Sequence, residues 1–275
     1  MLRILSLGAG VQSSTLALMS ARGELPVLDC AIFADTGAEP SDVYAYLRWL
    51  RRILPFPVHV VSAGNLRDEI LMSVAHQRGF VPVTRKGIDA RPPFFVLNED
   101  GSRGIIRRQC TGDFKVEPIQ KKIRELLGLK PRKHWPKATA VEQWIGISRD
   151  ESSRMKESQI PAIKMRWPLI ELGMTRNACL TWLESHGYPL PPKSACTFCP
   201  YRSDRSWRHL RDTDPEGWND ALAIDRAIRG GLGNLTGTLY VHDSLIPLEE
   251  VDLSTDSERG QPNLFENECE GMCGV

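Results

Sequence analysis

The chain has 275 residues, 41% hydrophobic and 25% charged, with 35 Lys/Arg against 34 Asp/Glu. That is the composition of a soluble globular enzyme, long enough to bury one large core or two modest ones. No apolar run approaches the ~18 to 20 residues of a membrane span, and Met1 to Leu7 runs into a Gly/Ser turn without a small-residue cleavage site, so no secretory signal and a cytoplasmic location are expected.

Arg3 to Leu7 reads as a short buried strand, followed by Gly8-Ala9-Gly10 and a helical pattern from Ser13 to about Arg22. Asp29 to Ala34 is a second apolar strand, ending at Asp35-Thr36-Gly37. Pro40 suits a first helical position, and Val43, Leu47, Leu50 and Leu54 recur behind it at helical spacing. Val58 to Val61 predicts a third strand and Leu66 to about His76 a third helix. This alternation means an α/β fold, a doubly wound parallel sheet with helices on its faces. Gly79 to Arg108 is long, rich in Pro, Gly and Arg, and expected to be a functional loop. A helix from about Lys115 to Leu127 and a strand from Val141 to Ile147 follow. Thr175 caps a helix that runs to His186 and stops at Gly187. Pro189 to Arg202 is a loop around Cys196-x-x-Cys199, Pro215 to about Arg229 the last helix, and Thr238 to Val241 the last strand. The expected organisation is a nucleotide-binding α/β domain over residues 1–187, a C-terminal region over 188–254 whose Cys-x-x-Cys packs on the site, and an acidic, cysteine-containing tail over 255–275.

Charge is unevenly placed. Arg78 to Lys133 holds fourteen Lys/Arg against six Asp/Glu, a balance of +8, whereas Glu249 to the end holds eight acids and one Arg, −7. An anionic ligand over the basic middle is one reading, and solvated surface charge neutralised by the tail is the other. The basic stretch could also track a nucleic-acid backbone, but only Phe80, Phe94, Phe95 and Phe114 interleave with it, so nucleic acid is not favoured. Seven cysteines without an export signal do not suggest a disulfide framework. Cys30 and Cys179 read as small buried hydrophobes; Cys110, Cys196, Cys199, Cys269 and Cys273 lie in polar, turn-rich contexts. The six histidines are scattered without ligand spacing and read as structural.

Ser6-Leu7-Gly8-Ala9-Gly10-Val11-Gln12-Ser13-Ser14 joins the first strand to the first helix. Gly8 and Gly10 let the backbone approach an anion, the helix N-terminus points N–H groups at it, and Ser13 and Ser14 add hydroxyls. No Gly-Lys-Ser/Thr follows, so it is not a Walker loop, and Ser13 stands where a dinucleotide fingerprint has its third glycine. A tight turn without a ligand is the alternative. Ligands of open parallel sheets bind outside the carboxyl ends of the strands, which puts Asp35, Thr36 and Gly37 beside the same nucleotide. Cys196 and Cys199 have metal-ligand spacing on a tight turn, suited to zinc or an iron–sulfur centre.

Together these segments resemble the adenine nucleotide alpha-hydrolase (PP-loop) superfamily, and within it the PAPS/APS reductase-like family. Ile32 to Gly37 is similar to the reductases' Asp-Thr-Gly strand end, and Cys110 to Ile119 to their Cys-Cys-x-x-x-Lys-Val-x-Pro-Leu segment. Gly146-Ile-Ser-Arg149-Asp150-Glu151-Ser152-x-Arg154 resembles their Gly-x-Arg-x-Asp-Gln-Ser loop, and Pro168-Leu169-Ile170 and the later Cys-x-x-Cys complete the family order from Ser6 to about Arg202. Two departures stand out. Val11 and Gln12 replace the Lys and Asp with which ATP-cleaving members handle phosphates and Mg2+, which leans towards the reductases, and Thr111 replaces a second cysteine.

The resemblance implies nucleotide contacts from Ser6, Gly8, Gly10, Gln12, Ser13, Ser14, Asp35, Thr36, Gly37, Gly146, Arg149, Asp150 and Arg154, and anion contacts from Arg107, Arg108 and Lys115. Glu151 would orient or pair with Arg149. The resemblance implies a 4Fe-4S cluster on Cys110, Cys196 and Cys199, with the fourth position open or taken by Cys269 or Cys273; zinc is the alternative. Cys269, after Glu268, would be the nucleophile on a sulfonucleotide (APS or PAPS), released by a thioredoxin-like reductant. The second reading is an ATP pyrophosphatase, an adenylating enzyme that modifies or thiolates a nucleobase or other acceptor; the third is a non-catalytic nucleotide or cluster sensor.

Overall fold

The computed structural model describes residues 1–77, 91–130, 133–232, 237–254 and 258. Five parallel strands, β1 (Leu2–Ser6), β2 (Cys30–Asp35), β3 (Val58–Ser62), β6 (Val141–Ile145) and β7 (Ile163–Arg166), form one sheet in the order β3-β2-β1-β6-β7. Side chains alternate across it. Leu5, Ala31, Phe33 and Trp144 bury one face against α1 (Val11–Ala21), α2 (Ser41–Ile53), the short α5 (Pro168–Glu171) and α6 (Arg176–Ser185), through Leu16, Val43, Leu47, Leu50, Leu169, Cys179 and Leu183. Ile4, Cys30, Ile32, Ala34, Val141 and Ile163 bury the other against Ile119 and Ile123 of α4 (Glu117–Leu126). Helices on both faces make the sheet doubly wound, as the alternation of the first three strand–helix pairs requires. Strand order reverses between β1 and β6, and the ends of these two strands are where such a sheet opens a crevice.

A second core lies beside the first. The antiparallel strands β4 (Phe95–Leu97), β5 (Arg103–Ile105) and β8 (Thr238–Tyr240) form a sheet ordered β5-β4-β8. Phe94, Val96 and Leu239 pack there with α3 (Leu66–Gln77), α7 (Asp204–Thr213) and α8 (Pro215–Ile228), through Leu66, Ile70, Val74, Trp207, Leu210, Ile224 and Ile228.

Two expectations are corrected, and two elements were not anticipated. The described part of the expected 79–108 loop contains the β4–β5 hairpin, turned at Asn98 to Gly101 with Gly101 N donating to Asn98 O (2.9 Å). The last strand joins this second sheet rather than the parallel one. β7, whose Ile-Lys-Met-Arg is only four residues long, and α7, half of whose residues are charged, gave no periodic signal. The α6 cap stands as read: Thr175 Oγ1 accepts from Ala178 N (3.2 Å), and Gly187 follows with φ +70°. Among the described residues no helix is long and apolar enough to cross a membrane.

Candidate functional site

The turn from β1 into α1 is built by backbone conformation. Ala9 takes φ +54° while fully buried, a left-handed setting that a non-glycine residue adopts at a cost of about 1–3 kcal/mol. Gly10 caps α1 with extended backbone and no side-chain bond, leaving the first-turn N–H groups facing outward. Ser13 Oγ folds back on the loop, accepting from Gly8 N (3.1 Å) and donating to Gly10 O (3.4 Å). Gly146 closes the other side. A Cβ there would lie 2.7 Å from Ser13 N and 3.0 Å from Ser13 Cα, so β6 can approach the loop only through a glycine.

A cavity of about 600 Å³ opens between these two strand ends, a size suited to a small ligand. Ser6, Gly8, Gly10, Gln12, Ser13 and Gly146 form its loop side, and Ile119, Ile145, Ile160, Ile163 and Met165 an apolar wall. Lys115, Arg154, Lys156, Arg176 and Lys193 line it as cations, against Glu151 and Glu157. Gln12 Nε2 donates to Glu151 Oε2 (3.0 Å), and Arg154 Nη1 to Glu151 Oε1 (2.6 Å), so one buried carboxylate ties the loop to the mouth arginine. Gln143 Nε2 donates to Ser6 Oγ (2.7 Å) across the sheet.

A second cavity, about 40 Å³, adjoins the first and is lined by Thr36, Arg108, Cys110, Thr111, Lys115, Cys196, Cys199 and Tyr201. Thr111 and Lys115 line both. They sit in a helix that begins at Cys110 and is π-helical over Gly112–Val116 before α4, an irregularity frequent at functional sites. Lys115 Nζ pairs with Glu39 Oε1 (3.5 Å), whose carboxylate is buried and also accepts from Ser194 Oγ (3.4 Å). The turn over Cys196 to Cys199 closes with Cys199 N donating to Cys196 O (3.0 Å). Arg202 fastens it from below. Its guanidinium is buried, donates to Ala195 O (2.7 Å), Cys196 O (3.1 Å) and Ser206 Oγ (2.8 Å), and lies 5.7 Å from the Trp207 ring centroid.

Burial dominates the thiols. It pushes Cys196 up to about 12, with the Glu39 charge adding and Lys115 and the Thr36 contact (Sγ to Oγ1, 3.3 Å) opposing. Cys110 is raised by burial too, with Arg108 and Lys115 pulling it back. Among the described residues Cys110, Cys196 and Cys199 form no disulfide. Three soft sulfur donors facing one cavity fit an iron–sulfur or zinc centre in kind. Their spacing does not: among the described residues no group of three or more His, Cys, Asp or Glu is arranged to hold a metal ion.

The other expected site residues divide. Ser14 is fully buried behind the loop beside Tyr46 rather than in the cavity. Asp35 accepts from Tyr44 Oη (2.7 Å) and Gly37 N (2.8 Å) and lines neither cavity, and Thr36 belongs to the cysteine cavity. Arg149 and Asp150 are exposed outside both cavities; Asp150 accepts from Arg176 N (3.1 Å), at the start of α6. Glu151, expected to serve Arg149, instead holds Arg154 and Gln12. Arg107 is exposed away from both cavities, and Arg108 lines the cysteine cavity, 5.8 Å from the Tyr201 ring centroid. Cys269 and Cys273 lie outside the described residues. Cys30 and Cys179 are buried in the two faces of the sheet. Buried His242 bonds Asp204 and Ser244 through its two ring nitrogens. Sequence reasoning missed Glu39, Gln143, Lys193, Ser194 and Arg202. Only Glu39, a carboxylate directly before the helix-opening Pro40, carried a local signal.

Fold and site together define a doubly wound α/β protein with a strand-end ligand cavity and an adjoining three-cysteine cavity. No family model matches the sequence, and no curated protein does. Among solved structures, the chain is similar to the phosphoadenylyl-sulfate (PAPS) reductase from Candida auris, solved as a phosphate complex: 13% identity, 69% of this chain and 74% of that one, TM-score 0.42. It is also similar to the U34-tRNA thiolase NcsA from Methanococcus maripaludis, solved with its 4Fe-4S cluster: 13% identity, 88% of this chain and 77% of that one, TM-score 0.37. Likeness at this level decides no reaction.

Proposed function

We propose that the protein is a PAPS reductase-like enzyme that binds an adenine nucleotide in the larger cavity and carries out sulfur chemistry at the smaller one. The observation that carries this reading is the shared wall. Thr111 and Lys115, on one helical turn, line both cavities, so a ligand seated on the Gly8–Ser13 loop has its phosphate end one side-chain layer from Cys110 and Cys196. Loop N–H groups and the lining cations would hold phosphate or sulfate oxygens, and the apolar wall would take the base.

Cys110, Cys196 and Cys199 are the residues that would hold a 4Fe-4S cluster, or zinc; a bound cluster would supply a soft, redox-active centre beside the phosphates. Cys269 remains the proposed nucleophile and a thioredoxin-like protein the proposed reductant. A second reading, ATP-dependent adenylation of an acceptor, is favoured by one observation. Five cations against two acids line the cavity, a surplus that suits a triphosphate although the loop itself is uncharged.

Calorimetric titration of anaerobically purified protein with ATP, APS and PAPS, with Mg2+ present and iron, zinc and sulfide assayed in parallel, tests the proposal. Preference for APS or PAPS is expected. Preference for ATP would overturn the reductase assignment, and tight binding without turnover of any of the three would leave a sensor.

A further inference from the structure

We propose that Gln143, oriented by Ser6, reads the base of the nucleotide and selects a purine with an amino group over one with a carbonyl at the same position. This rests on the nucleotide reading above and adds a specificity-determining residue to it. Gln143 stands on an otherwise apolar stretch of the sheet. In register it lies between Ile4 of β1 and Met165 of β7, and Val141 and Ile145 flank it along β6 on the same side. Ile119, Ile160 and Ile163 continue this wall of the large cavity, which Gln143 also lines. The side chain is only 9% exposed, and a carboxamide so placed is costly unless each of its polar groups finds a partner.

One of those groups has its partner. Gln143 Nε2 donates to Ser6 Oγ (2.7 Å), which holds the amide from the neighbouring strand. Oε1 and the second N–H take no hydrogen bond among the described residues. A few polar groups set in an apolar wall are what orient a ligand in such a cavity. An amide oxygen beside an N–H is the edge that glutamine offers to adenine: the oxygen accepts from the N6 amino group, and the N–H donates to the adjacent ring nitrogen. Hypoxanthine and guanine carry a carbonyl oxygen in place of that amino group, so oxygen would face oxygen. A free carboxamide escapes this by turning over and suits either base. With Nε2 held by Ser6, Gln143 keeps its oxygen for the amine. The other uncharged polar side chains near this wall are less suited. Ser158 Oγ accepts from Ile160 N (3.0 Å), and Gln120 and Gln159 are more exposed, where water competes for the base.

The test is titration of anaerobically purified wild type, Gln143→Met and Ser6→Ala with ATP, ITP, AMP and IMP. The wild type should bind each adenine nucleotide roughly 10- to 100-fold more tightly than its hypoxanthine counterpart, the worth of one buried hydrogen bond against one buried acceptor left unpaired. Gln143→Met keeps the side-chain length without the amide and should bring both ratios to within about three-fold of unity. Ser6→Ala lets the amide turn over and should gain affinity for ITP and IMP, which lost packing would not produce. Thermal melting confirms that the variants are folded, and Gln143→Leu replaces Gln143→Met if it is not. Three results overturn the assignment while leaving the nucleotide reading in place: a wild type that does not favour adenine, a Gln143→Met protein that keeps the wild-type ratio even at lower affinity, or a Ser6→Ala protein without the gain. A wild type that binds none of the four overturns the nucleotide reading, and this assignment with it.

Discussion

Replacing Gly146 by alanine tests the geometry of the loop most directly. The added Cβ would meet Ser13 N at 2.7 Å, Ser13 Cα at 3.0 Å and Gln12 C at 3.1 Å. All three are backbone atoms in the first turn of α1, so no flexible side chain can swing aside. Restoring an ordinary contact near 3.4 Å requires β6 and the loop to separate by about 0.7 Å. Overpacking of this kind costs about 1–3 kcal/mol, which for a chain of this size lowers Tm by roughly 4–8 °C at the middle of that range. Function should suffer as well. Shifting the first-turn N–H groups by about 0.7 Å stretches a 2.9 Å bond to about 3.6 Å, beyond hydrogen-bonding distance. Losing one such bond to an anion costs about 1.5–3 kcal/mol, roughly a 10- to 100-fold rise in nucleotide Kd. Differential scanning calorimetry and the ATP, APS and PAPS titration measure the two effects. Gly104→Ala is the control, because its nearest neighbour is Val96 Cβ at an ordinary 3.9 Å. A Gly146→Ala protein with wild-type Tm and nucleotide affinity would refute the argument.

Two further predictions concern the cysteine turn and the buried thiols. Arg202→Lys removes the fork that holds Ala195 O, Cys196 O and Ser206 Oγ; it is expected to cost about 2–4 kcal/mol in urea unfolding and to speed alkylation of Cys199, and an unchanged midpoint would sink it. Burial raises Cys30 to about 11 and Cys179 and Cys196 to about 12, from an ordinary 9.0. The unfolded chain therefore loses these protons first, so the stabilisation present below about pH 9 is lost as pH rises towards 11 to 12, by up to about 1.4 kcal/mol per pH unit per thiol. Cys179→Ala should flatten the alkaline fall of stability in urea titrations, and an identical slope would remove Cys179 from the account.

Local sequence determined the first half of the sheet and its helices, because each element there carries its own signal. Ile4-Leu5 and Ala31-Ile32-Phe33 are apolar runs that only a sheet covered on both faces can bury, and Val43, Leu47 and Leu50 mark one face of one helix. The Gly8 to Ser13 turn and Cys196-x-x-Cys199 were readable for the same reason, as contiguous backbone chemistry. β4, β5 and β8 are three residues each, too short for a period to announce them, and β4 finds its partner β8 more than 140 residues away in sequence. α7 hides its buried Trp207 and Leu210 among charges. Within motifs, side-chain direction was undecided: Arg149, Asp150 and Arg154 share one loop, yet only Arg154 turns into the cavity, held by Glu151. Glu39, Lys193 and Arg202 belong to no motif. Tertiary packing placed them, because a cavity wall assembles from segments whose only common property is that the fold brings them to the same strand ends.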